Sequence, residues 1–368
     1  MKPIVIVGEA KGAEEHRIGS SFVGASGVEL LRLLNEAGII QLTGNDKGLI
    51  GDYYRRGDPR SIDSIWRLHP EVYRTNVFQI HPPANRLEWF CGDKAGGIDS
   101  YPALIPSRYV RREFEPELDR LCEEILSHDP NLILALGNTA LWALCGRTGV
   151  GKLRGTTQLT THCVSGYKLL PTYHPAALFR QWENRPTTII DLIKAKREAE
   201  FPEIRRPACE IWIEPTLGDI DKFFTKFVRT GCDLLSVDIE TTGSRITCIG
   251  FAPSRDRAIV IPFDDERSKG GSYWPDKSTE AAAWDAIRSV LIDGSIPKLF
   301  QNGMYDIAFL LRSYGIGVRG AAHDTMLLSH ALQPESLKGL AYLGSVYTDH
   351  GAWKTERKIA GETIGRDK

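Results

Sequence analysis

Short apolar runs that alternate with helical patterns constrain the fold of the first half of this chain. The run Ile4–Val7 ends at Gly8, enters a glycine-rich, charge-rich loop and is followed by a helical pattern over residues 26–37. Strands alternating with helices predict a mostly parallel sheet covered by helices, and such sheets bind ligands at the carboxyl ends of their strands. We therefore expect functional residues in the first glycine-rich loop. Further strand-like runs lie at residues 75–78, 131–137 and 168–175.

The second half of the chain has a different order of elements. The pattern breaks near residues 194–210, where a charged helical tail runs into two prolines, and we place the domain seam there. Closely spaced strand-like runs then precede helical stretches after Ile296, which predicts a mixed sheet with antiparallel neighbours. We expect two α/β domains, with the limits 1–198 for the first, 199–209 for a linker and 210–368 for the second.

The composition is typical of a globular protein, since 42% of the 368 residues are hydrophobic and 25% are charged. A net charge of −1 gives no overall attraction to nucleic acid, so DNA binding requires local basic patches. The seven cysteines form no CxxC pair, which argues against a zinc or iron–sulfur site and predicts buried thiols in a reducing cytoplasm. We find no signal peptide and no run of membrane-spanning length, and therefore expect no membrane partner.

Two acidic residues in the second half lie on one predicted strand. Asp238 and Glu240 are two positions apart, so both carboxylates project from the same face. Such a pair repels unless a cation lies between its members, and a pair of Mg²⁺ or Mn²⁺ ions can activate water for phosphodiester cleavage. Asp306, at the start of an apolar helical run, is a third candidate ligand.

Residues 208–368 resemble the DEDD-type 3′-5′ exonuclease domain of proofreading family A DNA polymerases. Asp238, Glu240 and the Thr-Thr-Gly after it match the first motif of that family, and Asn302 and Asp306 match the second. The resemblance implies an RNase H-like mixed sheet, catalytic Mg²⁺ or Mn²⁺ ligands at the three acids, a substrate contact at Asn302 and binding of single-stranded 3′ ends.

The fourth carboxylate of that family lies in a Tyr-x-x-x-Asp or His-x-x-x-x-Asp motif, which this sequence does not contain near its C-terminus. Either the exonuclease domain is C-terminally incomplete, as in a truncated or split polymerase, or it binds DNA without cutting. With three acids we expect one ion to bind adequately and the second poorly. Asp349 is the first candidate to replace the fourth acid.

Three segments of the first half resemble the uracil-DNA glycosylase superfamily, nearest to its family 4. They are "GEAKGAEEHRIGSSFVG", "TNVFQIHPPANR" and "PTYHPAALFR", and the resemblance covers residues 3–196. It implies a three-layer αβα domain that acts on uracil-containing DNA. On the residues alone, glycine-rich loops and His-Pro helix starts are often purely structural, so the inference depends on all three segments together.

The chemistry of glycosidic cleavage assigns a role to each matched residue. Phe22 offers an apolar face to a flipped base, beside Gly8, and Asn76 can read the uracil edge, since a carboxamide both donates and accepts. His174, before a proline at a helix start, can donate to the base as negative charge develops on it. The resemblance assigns Glu9 to the sugar cation or the attacking water.

Some positions depart from the family pattern. Lys11 and Ser21 replace prolines, and His16 replaces the usual aspartate. Ile80 replaces a cysteine that ligates a cluster in family 4, and no cysteine precedes Cys91, so we expect no iron–sulfur cluster.

The two resemblances occur together at the front of certain phage family A DNA polymerases. We therefore expect a DNA replication and repair protein that recognises and excises uracil, acts in the cytoplasm of a bacterial host and has a polymerase domain encoded downstream as a partner. The alternative is a non-catalytic DNA-binding module of a split or truncated phage polymerase.

Overall fold

The computed structural model describes residues 2–351, which fall into two compact units. Residues up to 206 and the described residues from 341 onward form the first unit, and residues 207–340 form the second. Residues 341–351 thus pack with the first unit, whereas the sequence-based limits assign them to the second domain. The end of that predicted domain, residues 352–368, lies outside the described residues. Among residues 2–351, no helix combines the length and the apolar character needed to cross a bilayer.

The first unit is built on one five-stranded sheet and a small two-stranded one. Its strands are β1 (Ile4–Ala10), β2 (Val72–Phe78), β3 (Cys91–Gly92), β4 (Tyr109–Val110), β5 (Ile133–Leu136), β6 (Gln158–Leu159) and β7 (Lys168–Thr172). Its helices include α1 (Ala13–Ile18), α2 (Ala25–Glu36), α3 (Gly44–Arg56), α4 (Arg60–Trp66), α5 (Glu115–His128), α6 (Gly137–Cys145), α7 (Val150–Leu153), α8 (Pro175–Leu178) and α9 (Arg185–Glu198). The larger sheet has the order β2-β1-β5-β7-β6, parallel except for the edge strand β6.

Strand β1 shows why this sheet is covered on both faces. Ile4 and Ile6 belong to one buried apolar cluster, with side chains of α2 and α9, while Val5 and Val7 belong to another, with side chains of α5 and α6. Successive residues of a strand point to opposite faces, so helices pack on both. The predicted three-layer αβα architecture is confirmed.

The second unit contains a six-stranded mixed sheet. Its strands are β8 (Glu210–Trp212), β9 (Leu235–Thr242), β10 (Arg245–Ser254), β11 (Arg257–Pro262), β12 (Lys298–Phe300) and β13 (Ala321–Asp324). Its helices include α10 (Leu217–Phe223), α11 (Lys277–Leu291), α12 (Gly303–Tyr314) and α13 (Thr325–Leu332). The order is β13-β12-β9-β10-β11-β8; β10 runs antiparallel to β9 and β11, and the other pairs are parallel. The predicted mixed sheet with antiparallel neighbours is confirmed.

A buried ion pair anchors the end of the first unit. Arg154 and Asp191 are 1% and 0% exposed, and Arg154 Nε donates to Asp191 Oδ2 at 2.7 Å. Thr172 donates to the same oxygen at 2.7 Å. Arg154 also donates at 2.9 Å to Ser345, which lies on α14 (Leu340–Tyr347). The guanidinium and the carboxylate therefore form hydrogen bonds with each other, and each forms a further one with a hydroxyl group.

The prediction that the cysteines are buried thiols is wrong for five of the seven, of which Cys232 and Cys248 are half-buried. Cys122 on α5 and Cys163 in the loop before β7 form a disulfide, with Cα atoms 5.4 Å apart, and Cys209 is exposed. The paired cysteines are 41 residues apart, so no local spacing indicated their contact. Cys91 and Cys145 are buried thiols, as predicted.

Replacing Asp191 with Asn should lower the free energy of unfolding by about 3 to 5 kcal/mol, because it leaves the Arg154 guanidinium buried without a counter-charge. Urea denaturation followed by tryptophan fluorescence measures the change. The matched control is Asp129→Asn, which removes the exposed pair with Lys2 and should leave the transition nearly unchanged. Equal effects of the two substitutions would contradict the assigned role of the buried pair.

Candidate active site

Three predicted site residues meet where β1 and β2 end. Gly8 and Asn76 are register partners on these parallel strands. A Cβ atom on Gly8 would lie 2.3 Å from Asn76 Oδ1 and 2.5 Å from Phe22 Cζ. Glycine is therefore required at this position, since any side chain would displace the amide or the ring.

Phe22 is held in an unusual backbone conformation. Its φ is 56°, in the left-handed region, and its side chain is only 1% exposed. Trp66 Nε1 donates to the carbonyl oxygen of Phe22 at 2.8 Å, and a Cβ on Gly27 would lie 1.7 Å from that oxygen. The surroundings thus fix the direction in which the ring points.

The buried Glu15 carboxylate organises the loop around Phe22. It accepts hydrogen bonds from the backbone N–H groups of Gly12, at 2.9 Å, and of Phe22. Desolvation raises the pKa of Glu15, and these N–H groups oppose the rise by binding the charged form. The sequence analysis did not select Glu15, because its loop offered several acids and nothing in their spacing distinguished this one.

Glu15 also orients the Asn76 side chain, which is 2% exposed. Asn76 Nδ2 lies 3.4 Å from Glu15 Oε2 and 3.3 Å from Ser21 Oγ. Since a carboxylate only accepts, it fixes the amide with nitrogen inward and Oδ1 towards Gly8. Asn76 thus donates to Glu15 and Ser21 within the protein, while its Oδ1 lies beside Gly8.

The His174 side chain lies near Phe22 and is a neutral hydrogen-bond donor. Its Nδ1 accepts from the backbone N–H of Ala176 at 3.2 Å at the start of α8, which leaves the ring proton on Nε2. Desolvation, with the nearby Arg180 charge, lowers the pKa of His174 to about 4, so the ring is neutral at pH 7. Its centroid is 5.8 Å from that of Phe22.

Glu9, the residue after Gly8, has its carboxylate held from α6. Thr139 Oγ1 donates to Glu9 Oε2 at 2.7 Å. Desolvation raises the pKa of Glu9, and the threonine hydroxyl opposes the rise. Gly137, at the start of the same helix, has φ 87° and would bring a Cβ within 3.2 Å of His174 Cβ. Helix α6 thus contacts both titratable groups of the site.

The first unit therefore combines an apolar ring, an amide acceptor, a neutral N–H donor and a carboxylate. This set suits a planar heterocycle that carries both N–H and carbonyl groups. The donor can stabilise negative charge that develops on the heterocycle, and the carboxylate can stabilise positive charge on the group bonded to it.

In the second unit, the three predicted acids lie on β9 or next to it. Asp238 and Glu240 are both exposed and lie on the same face of the strand, as predicted. Asp306 on α12 is 4% exposed, and its Oδ1 accepts from the backbone N–H of Ile239 at 3.1 Å. Desolvation raises the pKa of Asp306, and the negative charges of Asp324 and Glu240 raise it further.

Asp324 is a structural residue that the sequence analysis did not single out. Its carboxylate caps α13 by accepting from the backbone N–H of Met326 at 2.8 Å. It also accepts from the backbone N–H groups of Asn302, at 3.1 Å, and Gly303, at 2.7 Å. Asn302, the predicted substrate contact, has φ 59° and an exposed side chain. Asp324 therefore holds the main chain of Asn302 and leaves its side chain exposed.

The donor types around β9 fit a hard divalent cation, since carboxylate oxygens are its preferred ligands and a cation would relieve the raised pKa of Asp306. In residues 2–351, however, no three Asp, Glu, His or Cys side chains are close enough together to hold a metal ion. Asp349, the suggested replacement, instead accepts from Arg197 at 2.6 Å within the first unit.

Family comparisons match both halves of the chain. A model described as the uracil DNA glycosylase superfamily matches residues 1–201, and a model described as 3′-5′ exonuclease matches residues 221–360. A type-4 uracil-DNA glycosylase of Thermotoga maritima is 29% identical over 52% of this chain and 76% of its own length. The corresponding protein of Pyrobaculum aerophilum is 31% identical over 48% of this chain and 68% of its own length.

Among solved structures, the EXD2 exonuclease domain soaked in Mg and dGMP is 17% identical, with a TM-score of 0.25, over 38% of this chain and 69% of that one. Brucella melitensis NrnC is 18% identical, with a TM-score of 0.26, over 44% of this chain and 64% of that one.

The pKa of Glu9 should lie above that of exposed glutamates, and Thr139→Val should raise it further, because the hydroxyl that stabilises the charged form is removed while burial remains. Side-chain ¹³C NMR titration of glutamate-labelled protein measures both values. Thr139→Ser retains the hydroxyl and serves as the control. An unchanged Glu9 pKa in the valine variant would contradict the role given to Thr139.

Proposed function

This chain belongs to the uracil DNA glycosylase superfamily, and from that premise we propose that its first unit excises uracil from DNA. The observation that carries the proposal is the orientation of Asn76, whose acceptor oxygen lies next to Gly8 while its amide nitrogen donates to Glu15. The other groups of the site fit the same reaction.

Asn76 explains the choice of base. Uracil carries a hydrogen on N3, which Asn76 Oδ1 can accept, whereas neutral cytosine has an unprotonated N3 that would face this oxygen lone pair to lone pair. The flipped base lies against the Phe22 ring, which repays part of the few kcal/mol spent on unstacking. Gly8 leaves room for the Asn76 amide and the Phe22 ring to lie against the strand.

His174 and Glu9 supply the chemistry. As the bond between C1′ and N1 breaks, its electron pair goes to the base, and His174 Nε2–H donates a hydrogen bond to the uracil oxygen where charge develops. The ionised Glu9 stabilises the cationic sugar and orients a water molecule. The water oxygen bonds to C1′ and one of its protons passes to Glu9, leaving an abasic site and the uracil anion, which takes up a proton from solvent on release while Glu9 returns its proton to solvent.

For the second unit we propose that Asp238, Glu240 and Asp306 hold one Mg²⁺ or Mn²⁺ ion at a site for single-stranded 3′ ends. The exonuclease family match and the hydrogen bond from Ile239 N–H to Asp306 support this assignment. Bound there, the ion would supply Lewis-acid activation for phosphodiester cleavage. The pairing of two DNA-processing domains supports a role in repair or replication, and we propose a phage polymerase in a bacterial cytoplasm as the setting.

His174→Ala should slow uracil excision by about 10²-fold or more, the scale for removal of one preorganised donor. Asn76→Asp should weaken the preference for uracil, because a second carboxylate beside Glu15 disturbs the orientation of the acceptor. Single-turnover incision of uracil-containing oligonucleotides by the full chain measures both effects. His330→Ala, an exposed position in the second unit, is the control.

A wild-type chain that neither excises uracil nor prefers uracil-containing DNA would refute the proposed function. Preferential binding without excision would instead support the alternative, a non-catalytic DNA-binding module. The two results are separable because binding is measured by anisotropy and excision by strand cleavage at the abasic site.

Calorimetric titration with Mn²⁺ should detect one weak site, and Asp238→Asn should abolish it, since it removes one of three charged ligands. The control is Asp221→Asn, an exposed aspartate on α10. We expect 3′-5′ degradation with Mg²⁺ to be slow or undetectable. Robust degradation that Asp238→Asn abolishes would show that a further ligand completes the site.

A further inference from the structure

An arginine-lined groove of about 600 Å³ lies beside the loop that carries Phe22. Its walls come from α1 with the following turn and from α4 with the residue after it. The side chains that matter for its chemistry are Arg17, Ser20, Arg60, Asp63, Ser64 and Arg67. We name this surface the arginine groove.

The charge of the arginine groove is positive in a chain of net charge −1. Its one acid, Asp63, accepts from Ser20 Oγ at 2.6 Å and from Arg67 Nε at 2.9 Å. Asp63 also accepts from Arg74 at 2.8 Å, so its charge is already engaged. Within residues 2–351, the guanidinium groups of Arg17 and Arg60 have neither an ion-pair nor a hydrogen-bond partner, and both residues are exposed.

The arginine groove is joined to the candidate active site by direct contacts. Helix α4 contributes Arg60 to the groove and ends at Trp66, the residue that donates to the Phe22 carbonyl. Arg74 donates to Ser20 Oγ and to the Ser21 carbonyl oxygen, both at 2.8 Å. Helix α4 and Ser20 are thus tied to the loop that carries Phe22, through contacts that do not involve the guanidinium groups of Arg17 and Arg60.

We propose that the arginine groove binds backbone phosphates of the DNA strand next to the nucleotide whose base lies against Phe22 in the proposed reaction. Guanidinium groups match phosphate geometry with paired hydrogen bonds, and serine hydroxyls such as Ser64 complete such contacts. The groove supplies the local basic patch that a chain without net positive charge needs to bind DNA. The proposal rests on the proposed function of the first unit, whose substrate strand it positions.

The test is the salt dependence of binding, measured by anisotropy with a labelled uracil-free single-stranded oligonucleotide and the full chain. The double variant Arg17→Gln/Arg60→Gln should lower the slope of log K against log salt by about 1.4, or about 0.7 for each phosphate that the variant no longer neutralises. The matched control is Arg55→Gln/Arg56→Gln, which removes the same charge from α3 outside the groove and should leave the slope nearly unchanged.

Uracil excision separates this proposal from the proposed function. The groove variant should raise the DNA concentration needed for half-maximal single-turnover rate while leaving the rate at saturating DNA unchanged. Equal slope changes in the two double variants would overturn the groove as a phosphate site. The groove would also be overturned as a site for DNA phosphates by a second result. In that result the groove variant loses binding of inorganic phosphate or dUMP but keeps the wild-type affinity for the oligonucleotide. If the groove variant has a lower slope but the wild-type chain excises no uracil, the phosphate site is supported and the proposed glycosylase activity is refuted.

Discussion

The candidate active site of the first unit depends on one buried carboxylate, that of Glu15. It binds the main chain at Gly12 and Phe22, which closes the loop after β1, and it faces the Asn76 amide from the next strand. Desolvation makes its charge costly, and the N–H groups around it offset that cost only when the loop has this shape. Loop conformation, ring position and amide orientation are therefore coupled, and a change at any of them disturbs the other two.

The same desolvation sets the protonation states of the other two titratable groups. It lowers the pKa of His174 to about 4 and raises that of Glu9, so both groups are biased towards their neutral forms. The proposed reaction uses the neutral form of His174, since Nε2–H donates without introducing a cation. It uses the charged form of Glu9, and Thr139 on α6 counteracts the bias against that form. In this apolar environment, only the Glu9 carboxylate therefore needs a specific contact that favours its charged form.

The sequence analysis selected the side chains that meet at the candidate site, but not the residues that orient them. Alternation of strands and helices predicted the first sheet, and the resemblance selected Phe22 and Asn76. The sequence analysis did not identify Trp66 and Glu15, because their contacts join residues 44 and 61 positions apart and depend on how α4 and the loop pack. The disulfide between Cys122 and Cys163 was not predicted for the same reason. Local patterns report local structure, whereas these contacts exist only after the sheet has brought distant segments together.

Asp306 and Asp324 in the second unit show how the environment separates two acids of one type. Partial burial opposes ionisation of Asp324, but the N–H groups of Gly303, Asn302, Met326 and Leu327 outweigh it and hold the pKa of Asp324 below its usual range. Asp306 is more deeply buried, and the N–H of Ile239 does not prevent a raised pKa. Asp324 is stabilised as an anion by the protein itself, which suits a helix cap. Asp306 lacks comparable compensation, which is the condition under which a bound cation adds most to stability, so of the two it is the better candidate ligand.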